Sequence, residues 1–324
     1  MVDFLLIGAG IAGLTAARQL SSAYSVVVLE KSRGLGGRSA TRRLEGNRVD
    51  HGAQYFTVRD ERFQEQVNEW LGQDKAFVWS HGFHTYSQQG LKPATKGHPR
   101  YTLRNGMNEV GKLLSEGLEV KTQTRAHKIS KQKDYYLVET EEGQAFEAKR
   151  VIVNAPAEQA LALLEPSKNE LQDKLASVKM VPCFALMPGY PLQLAPEWQG
   201  IHVETESSLA WISHDSSKRL NPAHTVLTLH STPEFAQVHF DVNPDELAQT
   251  MLTDLGKIDD RFTAPLFSSW HRWKYAQVSN SLEERFLNVE DSLFFCGDWC
   301  GGAKLESAYL SGLELGQYLL TLKP

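Results

Sequence analysis

VDFLLIGAGIAGLTAARQL, residues 2–20, decides the fold. Val2 to Ile7 is a nearly continuous apolar run, the pattern of a strand buried on both faces of a parallel sheet. Gly8-Ala9-Gly10-Ile11-Ala12-Gly13 follows at once, and then Leu14, Ala17 and Leu20 recur at helical spacing. A second apolar run, Val26 to Leu29, ends in Glu30. Strand, glycine turn, helix, strand and acid in this order make a βαβ dinucleotide-binding unit. Gly8 permits the tight turn, Gly10 lets backbone approach a pyrophosphate, and Gly13 lets helix and strand pack closely. The first helical turn, with Ala12, offers free N–H groups and the positive end of the helix dipole to phosphate. Glu30 is placed to accept hydrogen bonds from the adenosine ribose hydroxyls.

Those residues leave FAD and NAD both open. The next stretch, KSRGLGGRSATRR (31–43), follows the acid directly with Lys31, Gly34, Gly36, Gly37 and Arg38. A glycine-rich bend passes tightly around a bulky planar group, and a guanidinium pairs with phosphate oxygens through two parallel hydrogen bonds. The far end, FFCGDWCGGAKLESAYLSGLELGQYLL (294–320), supplies the second half. Phe294 and Phe295 close a strand, Gly297 makes a turn, and Asp298 is placed to hydrogen-bond a ribityl hydroxyl. Ala303 to Leu320 reads as a helix whose glycine-rich opening, up to Leu305, offers N–H groups to a flavin carbonyl or phosphate. Together the two ends favour FAD, which is expected to bind without a covalent link.

At 324 residues the chain exceeds one ordinary core and predicts two domains. Apolar residues make up 41% and charged residues 23%, the balance of a globular protein. The formal net charge of −5, with both signs interspersed, gives no positive field for a nucleic-acid partner. The apolar start lacks a basic leader, no run approaches a membrane span, and Cys183, Cys296 and Cys300 are too few for a disulfide framework. The expectation is a cytoplasmic protein without a membrane partner. The sequence carries no signal for oligomeric state.

Between the two ends, Leu118–Thr122, Ala126–Lys131, Tyr135–Glu139 and Ala145–Ala148 alternate with polar turns and predict a meander. Lys149 to Val153 then reads as an apolar strand stopped by Pro156, returning to the first sheet. Residues 157–285 mix helical patterns at 157–165 and 244–257 with strand-like runs at 183–187, 209–213 and 225–230. The expected architecture is α/β: a discontinuous Rossmann-like FAD domain of 1–56, 101–156 and 286–324, with a parallel sheet and β-meander. An α+β substrate domain of 57–100 and 157–285 is inserted into it.

At its glycine motifs, distal Glu30, Gly-Gly-Arg38 and Gly297-Asp298, the chain resembles the amine-oxidase-like flavoprotein superfamily. Three further strings look like the renalase branch, especially its bacterial members: Asp50-His51-Gly52-Ala53-Gln54-Tyr55-Phe56, Arg104-Asn105-Gly106-Met107 and Arg272-Trp273-Lys274-Tyr275-Ala276-Gln277. The resemblance implies an oxidase for 2- and 6-dihydro isomers of NAD(P)H that returns NAD(P)+ and passes electrons to O2 as H2O2. It also implies a backbone amide near Ala126 at the adenine, and Gly52 and Ala53 are expected beside the cofactor.

Hydride transfer to flavin N5 needs positioning and no obligatory protein acid or base, so no catalytic side chain and no metal are expected. Gln54, Tyr55, Phe56 and Thr57 are candidates to wall the substrate side of the flavin, with Trp273 and Tyr275 completing the cavity. Arg100, Tyr101 and Arg104 are candidates for the substrate's phosphates or ribose. His51 reads as orienting its loop, His81 and His84 as loop histidines, and Cys296 and Cys300 as packing residues. Two other readings stay open: oxidation of a small amine on the same FAD frame, and a non-enzymatic flavin-fold binding protein. A desaturase of lipidic substrates lacks the apolar stripe it would need.

Overall fold

The computed structural model describes residues 1–166 and 169–322; the parts of the expected domains at 167–168 and 323–324 lie outside the described residues. The chain divides into two compact units. The first holds Met1–Arg38, Asn108–Met180 and the chain from Val278 onward, and the second holds Ser39–Met107 and Val181–Gln277.

The first unit is built on an eight-stranded sheet. Val2–Ile7 lies at its centre, parallel to Val26–Leu29 on one side and to Ala145–Val153 on the other. Alternation along these strands sends Leu5, Ile7, Val27, Leu29, Val151 and Val153 into one core cluster. Phe4, Leu6, Val28, Ile152 and Phe294 point the other way and are also fully buried. Burial on both faces is what the unbroken apolar runs demand. Each large apolar side chain so buried contributes roughly 1.5–3 kcal/mol.

Ala145–Val153 is a single strand, where the sequence suggested a meander strand followed by a separate return strand. Its first half pairs antiparallel with Tyr136–Thr140, and its last three residues pair parallel with Leu293–Phe295. Glu119–Lys121, expected in the meander, instead joins the parallel sheet beside Val26–Leu29. The glycine-turn helix Ile11–Leu20 packs on the last helix, Leu305–Thr321, at a glycine. A Cβ on Gly312 would stand 2.1 Å from the Ala12 carbonyl oxygen, so the two backbones touch.

The second unit is built on a seven-stranded sheet in the order Phe267–Asn280, Lys179–Tyr190, Thr225–Ser231, Leu209–His214, Gly200–Val203, His84–Ser87, Gly90–Lys92. Helices Pro233–Val238 and Pro244–Ile258 contribute to the core on one face, through Phe184, Leu186, Leu227, Leu229, Ala236, Leu247 and Met251. Each begins with proline after a capping residue: Thr232 accepts from the Phe235 N–H and Asn243 from the Asp245 N–H. Against the opposite face lie the hairpin Thr41–Leu44/Asn47–Asp50 and the segment that follows it.

The division therefore differs from the expected boundaries. Residues 39–56 fall in the second unit because Leu44 and Val49 pack on Met187 and Val226. Residues 157–180 fall in the first because Ala157, Ala160, Leu163 and Leu175 share a core with Leu5 and Val153. No helix among the described residues is long and apolar enough to cross a membrane.

Candidate functional site

In the first unit the structure brings the expected cofactor residues to the carboxyl ends of the parallel strands. Gly8 has φ +103°, and a Cβ there would stand 2.1 Å from the Asn154 carbonyl oxygen. At Gly10 a Cβ would meet Asn154 Oδ1 at 2.6 Å, and at Gly13 it would meet the Gly8 oxygen at 2.5 Å. No side chain fits at these positions, so backbone alone faces whatever sits above the turn. Helix Ile11–Leu20 starts at Gly10 with no side-chain cap and no acid in its first turn. That leaves its N–H groups and dipole for an anion.

The 34–38 bend crosses this turn: the Gly36 N–H donates to the Ala9 oxygen at 2.8 Å. A Cβ on Gly37 would stand 3.5 Å from Gly10 Cα. Arg38 Nη2 reaches Asp298 Oδ1 at 2.6 Å, so the expected phosphate cation and the expected ribityl acceptor are neighbours. The Gly297 N–H donates to Ser311 Oγ at 3.0 Å, tying that turn to the last helix, which begins at Leu305. Glu30 is buried, with Oε2 accepting from the Ala9 N–H at 2.8 Å and Oε1 from the Ser32 N–H at 2.7 Å. Both oxygens keep a lone pair for a ribose hydroxyl. The Thr124 N–H donates to the Glu30 oxygen at 2.9 Å, which places the start of strand Ala126–Lys131 on the same side.

This set fits a flavin adenine dinucleotide: an uncapped helix end with a side-chain-free turn for the diphosphate, a buried acid for the ribose, and a cation. Lys31 turns to the surface and donates to Gln159 Oε1 at 2.8 Å. Gly52 and Ala53 belong to the second unit. Sequence reading missed Asn154; the one available signal was a polar residue closing a parallel strand at its carboxyl end.

In the second unit, Asp50 to Phe56 lies on the sheet face opposite the two helices. Asp50 is fully buried, and its carboxylate accepts from Thr41 Oγ1, the Met107 N–H, Lys218 Nζ and Arg219 Nη2 at 2.6, 2.8, 2.8 and 2.7 Å. Asp215 Oδ1 accepts from Lys218 at 2.6 Å and Oδ2 from Arg219 at 3.2 Å, closing a buried cluster of two acids and two bases. Burial pushes the Asp50 carboxyl up, but Arg219 and Lys218 outweigh it and hold the group below the usual range. Nothing in the local sequence pairs Asp50 with residues so distant, and these partners were missed.

Several expected substrate residues are committed here. Gln54 is buried; its Nε2 donates to the Asp50 and Gly52 oxygens, and its Oε1 accepts from Ser213 and Lys218. Its amide orients the loop and has no free valence for a carboxamide. Phe56 and Tyr101 stack with centroids 5.7 Å apart and are core residues beside Phe63 and Trp70. Arg104 pairs with Asp74 at 3.0 Å. Tyr55 stays half-buried among Trp79, Phe83 and Trp211, with the Arg100 guanidinium 5.8 Å from its ring centre. Thr57 is half-buried too.

Trp273 and Tyr275 alternate with Trp270 and Arg272 on strand Phe267–Asn280. The Trp273 indole stacks on His51 at 5.5 Å and donates Nε1 to the His51 oxygen at 2.8 Å. His271 meets His51 edge-on at 4.8 Å, and His230 Nε2 lies 3.2 Å from the His51 oxygen. Burial, then His271 and Arg42, pushes the His51 imidazole down to about 3, and burial pushes His230 down to about 4. Both rings are therefore neutral near pH 7. His84, expected in a loop, opens strand His84–Ser87. Cys296 is fully buried and its thiol is pushed up to about 12 by burial, as befits a packing residue.

Comparison with known proteins adds family evidence. A family model described as flavin containing amine oxidoreductase matches residues 93–319, and one described as an NAD(P)-binding Rossmann-like domain matches residues 6–71. Renalase of Mus musculus is 24% identical over 306 residues, covering 88% of each chain. An L-amino acid dehydrogenase of Synechocystis sp. is 40% identical over 70 residues, 21% of this chain and 15% of that protein. Among solved structures, an Exiguobacterium sp. 255-15 protein designated a protoporphyrinogen oxidase superposes with TM-score 0.79 at 16% identity, covering 98% of each chain. Putrescine oxidase bound to putrescine gives TM-score 0.79 at 14% identity over 99% of each chain. At these identities the structural likeness speaks for the fold alone.

Proposed function

The chain belongs to the flavin containing amine oxidoreductases and is an FAD-dependent oxidoreductase, and from that premise we propose that it oxidises 2- and 6-dihydro isomers of NAD(P)H to NAD(P)+. When bound, FAD would supply a two-electron acceptor for the substrate's hydride, with O2 and protons as the onward acceptor giving H2O2. Gly8, Gly10, Ala12, Gly13, Glu30, Gly37, Arg38, Ala126, Gly297, Asp298 and Leu305 would hold the cofactor, and would do so without a covalent bond.

Two guanidiniums of the second unit support the choice of substrate. Asp50 and Asp215 are cancelled by Lys218 and Arg219. Among the described residues, Arg42 and Arg100 pair with no carboxylate: Arg42 is held by Ser269, the Trp270 oxygen and His271, and Arg100 by the His98 oxygen. These two guanidiniums, neither of them held by a carboxylate, favour a substrate with a diphosphate over a cationic amine. Tyr55, Trp273 and Tyr275 offer aromatic faces for a dihydropyridine ring. His51 and His230, neutral near pH 7, add no charge that would oppose hydride loss. Three buried, unpaired thiols suit a reducing compartment, and the reading places the enzyme in the cytoplasm.

The deciding experiment mixes the yellow protein anaerobically with 2- and 6-dihydro-NAD(P), ordinary 4-dihydro-NAD(P)H and a panel of amines, following the flavin band by stopped flow. Fast bleaching by the 2- or 6-isomers alone is the expected result. Bleaching by an amine alone would move the protein to the amine oxidases and sink the substrate assignment.

A further inference from the structure

Strand Ala145–Val153 ends beside a residue that no nucleotide-binding motif in the sequence includes. We infer that Asn154 is a cofactor-positioning residue, a neutral amide that joins the two halves of the flavin nucleotide's seat and must stay uncharged for the diphosphate to occupy the helix N-terminus. Its backbone N–H donates to the Ile7 oxygen at 2.8 Å, at the mouth of the glycine turn. Its Nδ2 donates to the Cys296 oxygen at 3.0 Å, immediately before Gly297 and Asp298. One residue thus joins the N-terminal turn, through its backbone, to the C-terminal turn, through its side chain, although the two lie far apart in sequence.

The remaining atom is the informative one. Asn154 Oδ1 is buried and accepts no hydrogen bond. It stands 2.6 Å from where a Gly10 Cβ would be and 2.9 Å from where a Gly13 Cβ would be, so it lies against the turn itself. A buried acceptor left without a donor costs about 1–3 kcal/mol. The positive end of the Ile11–Leu20 dipole offsets part of that cost, because the lone pairs sit beneath it. A carboxylate of the same shape would place a full negative charge at this spot and compete with a diphosphate for the same dipole. The charge of residue 154, more than its size, then sets nucleotide affinity.

Asn154→Asp keeps the shape but adds a charge and replaces the donor to Cys296 with an acceptor, whereas Asn154→Ser loses the same donor and keeps neutrality. Each apoprotein, with wild type, would be titrated with FAD by quenching of flavin fluorescence at about pH 8 and about pH 5.5, alongside its urea unfolding curve. Asn154→Asp is expected to weaken FAD roughly tenfold or more at the higher pH, about 1.4 kcal/mol. At the lower pH the Asp variant regains affinity only so far as burial raises its carboxyl above the ordinary carboxylate range. Asn154→Ser is expected to weaken FAD about threefold at both values.

An Asp variant within about twofold of wild type at the higher pH, or one matching the Ser variant at both, would overturn the inference. So would loss of cooperative unfolding in both variants, which would make Asn154 a purely structural residue. The inference rests on FAD being the cofactor; a wild-type apoprotein that takes up no FAD would overturn that assignment instead.

Discussion

Arg38 is held by a carboxylate whose own expected partner is a ribityl hydroxyl. Replacing it with alanine removes charge-assisted hydrogen bonds worth about 1.5–3 kcal/mol. Arg38→Ala should therefore purify with substoichiometric flavin and bind added FAD roughly ten- to a hundredfold more weakly; full flavin content after purification would count against its role. The buried histidines make a separate prediction about acid. An unfolded histidine takes up a proton near pH 6.5, whereas folded His51 and His230 resist until about 3 and 4. Below pH 6.5 the unfolded chain therefore binds more protons, and stability falls as the pH is lowered through that window. Thermal midpoints should drop steadily between about pH 6.5 and pH 4.5, and His230→Gln, which keeps a donor towards the His51 oxygen, should flatten the decline. A wild-type midpoint that stays level over that range would refute the assignment of neutral buried rings.

At the scale of elements, the contact of helix Ile11–Leu20 with Leu305–Thr321 has no slack. Gly312→Ala would drive a methyl group into the backbone at Ala12, where no side chain can swing aside. Overpacking of this kind costs about 1–3 kcal/mol, and the displaced helix start should also lower FAD affinity; an Ala variant with wild-type midpoint and affinity would show that the helices separate freely. In the second unit, Lys218→Met leaves two buried carboxylates facing one guanidinium, and should cost about 3–5 kcal/mol by urea unfolding. The two elements differ in how legible they were. Val2–Ile7, the glycine turn and the last helix were readable because periodicity and glycine spacing are local signals. The Asp50–Lys218 cluster was not, because an ion pair across that span leaves no trace in the sequence around either residue. For the same reason Phe56 was read as a cavity wall and Tyr101 as a contact for phosphate or ribose, whereas both are buried in the core: composition marks an aromatic residue as apolar without saying which side of a sheet it covers. Glu119–Lys121 was misassigned because a three-residue strand looks alike in a meander and at the edge of a parallel sheet.

On the scale of the whole molecule, the divisions between the units at 180/181 and 277/278 fall inside the continuous strands Lys179–Tyr190 and Phe267–Asn280. Neither unit is a contiguous piece of chain, so neither can be expressed by simple truncation. Calorimetry with FAD at a hundred times its dissociation constant should show the flavin-binding transition stabilised by about 2.7 kcal/mol, with flavin release tracking the loss of far-ultraviolet ellipticity. An FAD-insensitive transition would mean that the cofactor binds folded and unfolded chain alike. The alternation of the chain also has a consequence for synthesis on the ribosome. The glycine turn emerges long before Gly312, which seals its helix, and the Leu293–Phe295 strand, which flanks its sheet. Until then the nascent first unit presents an open sheet edge and an unsealed apolar helix. A chaperone's window on this protein therefore spans the synthesis of everything between the glycine turn and Gly312, and the nucleotide seat closes only once the Leu305–Thr321 helix has left the exit tunnel.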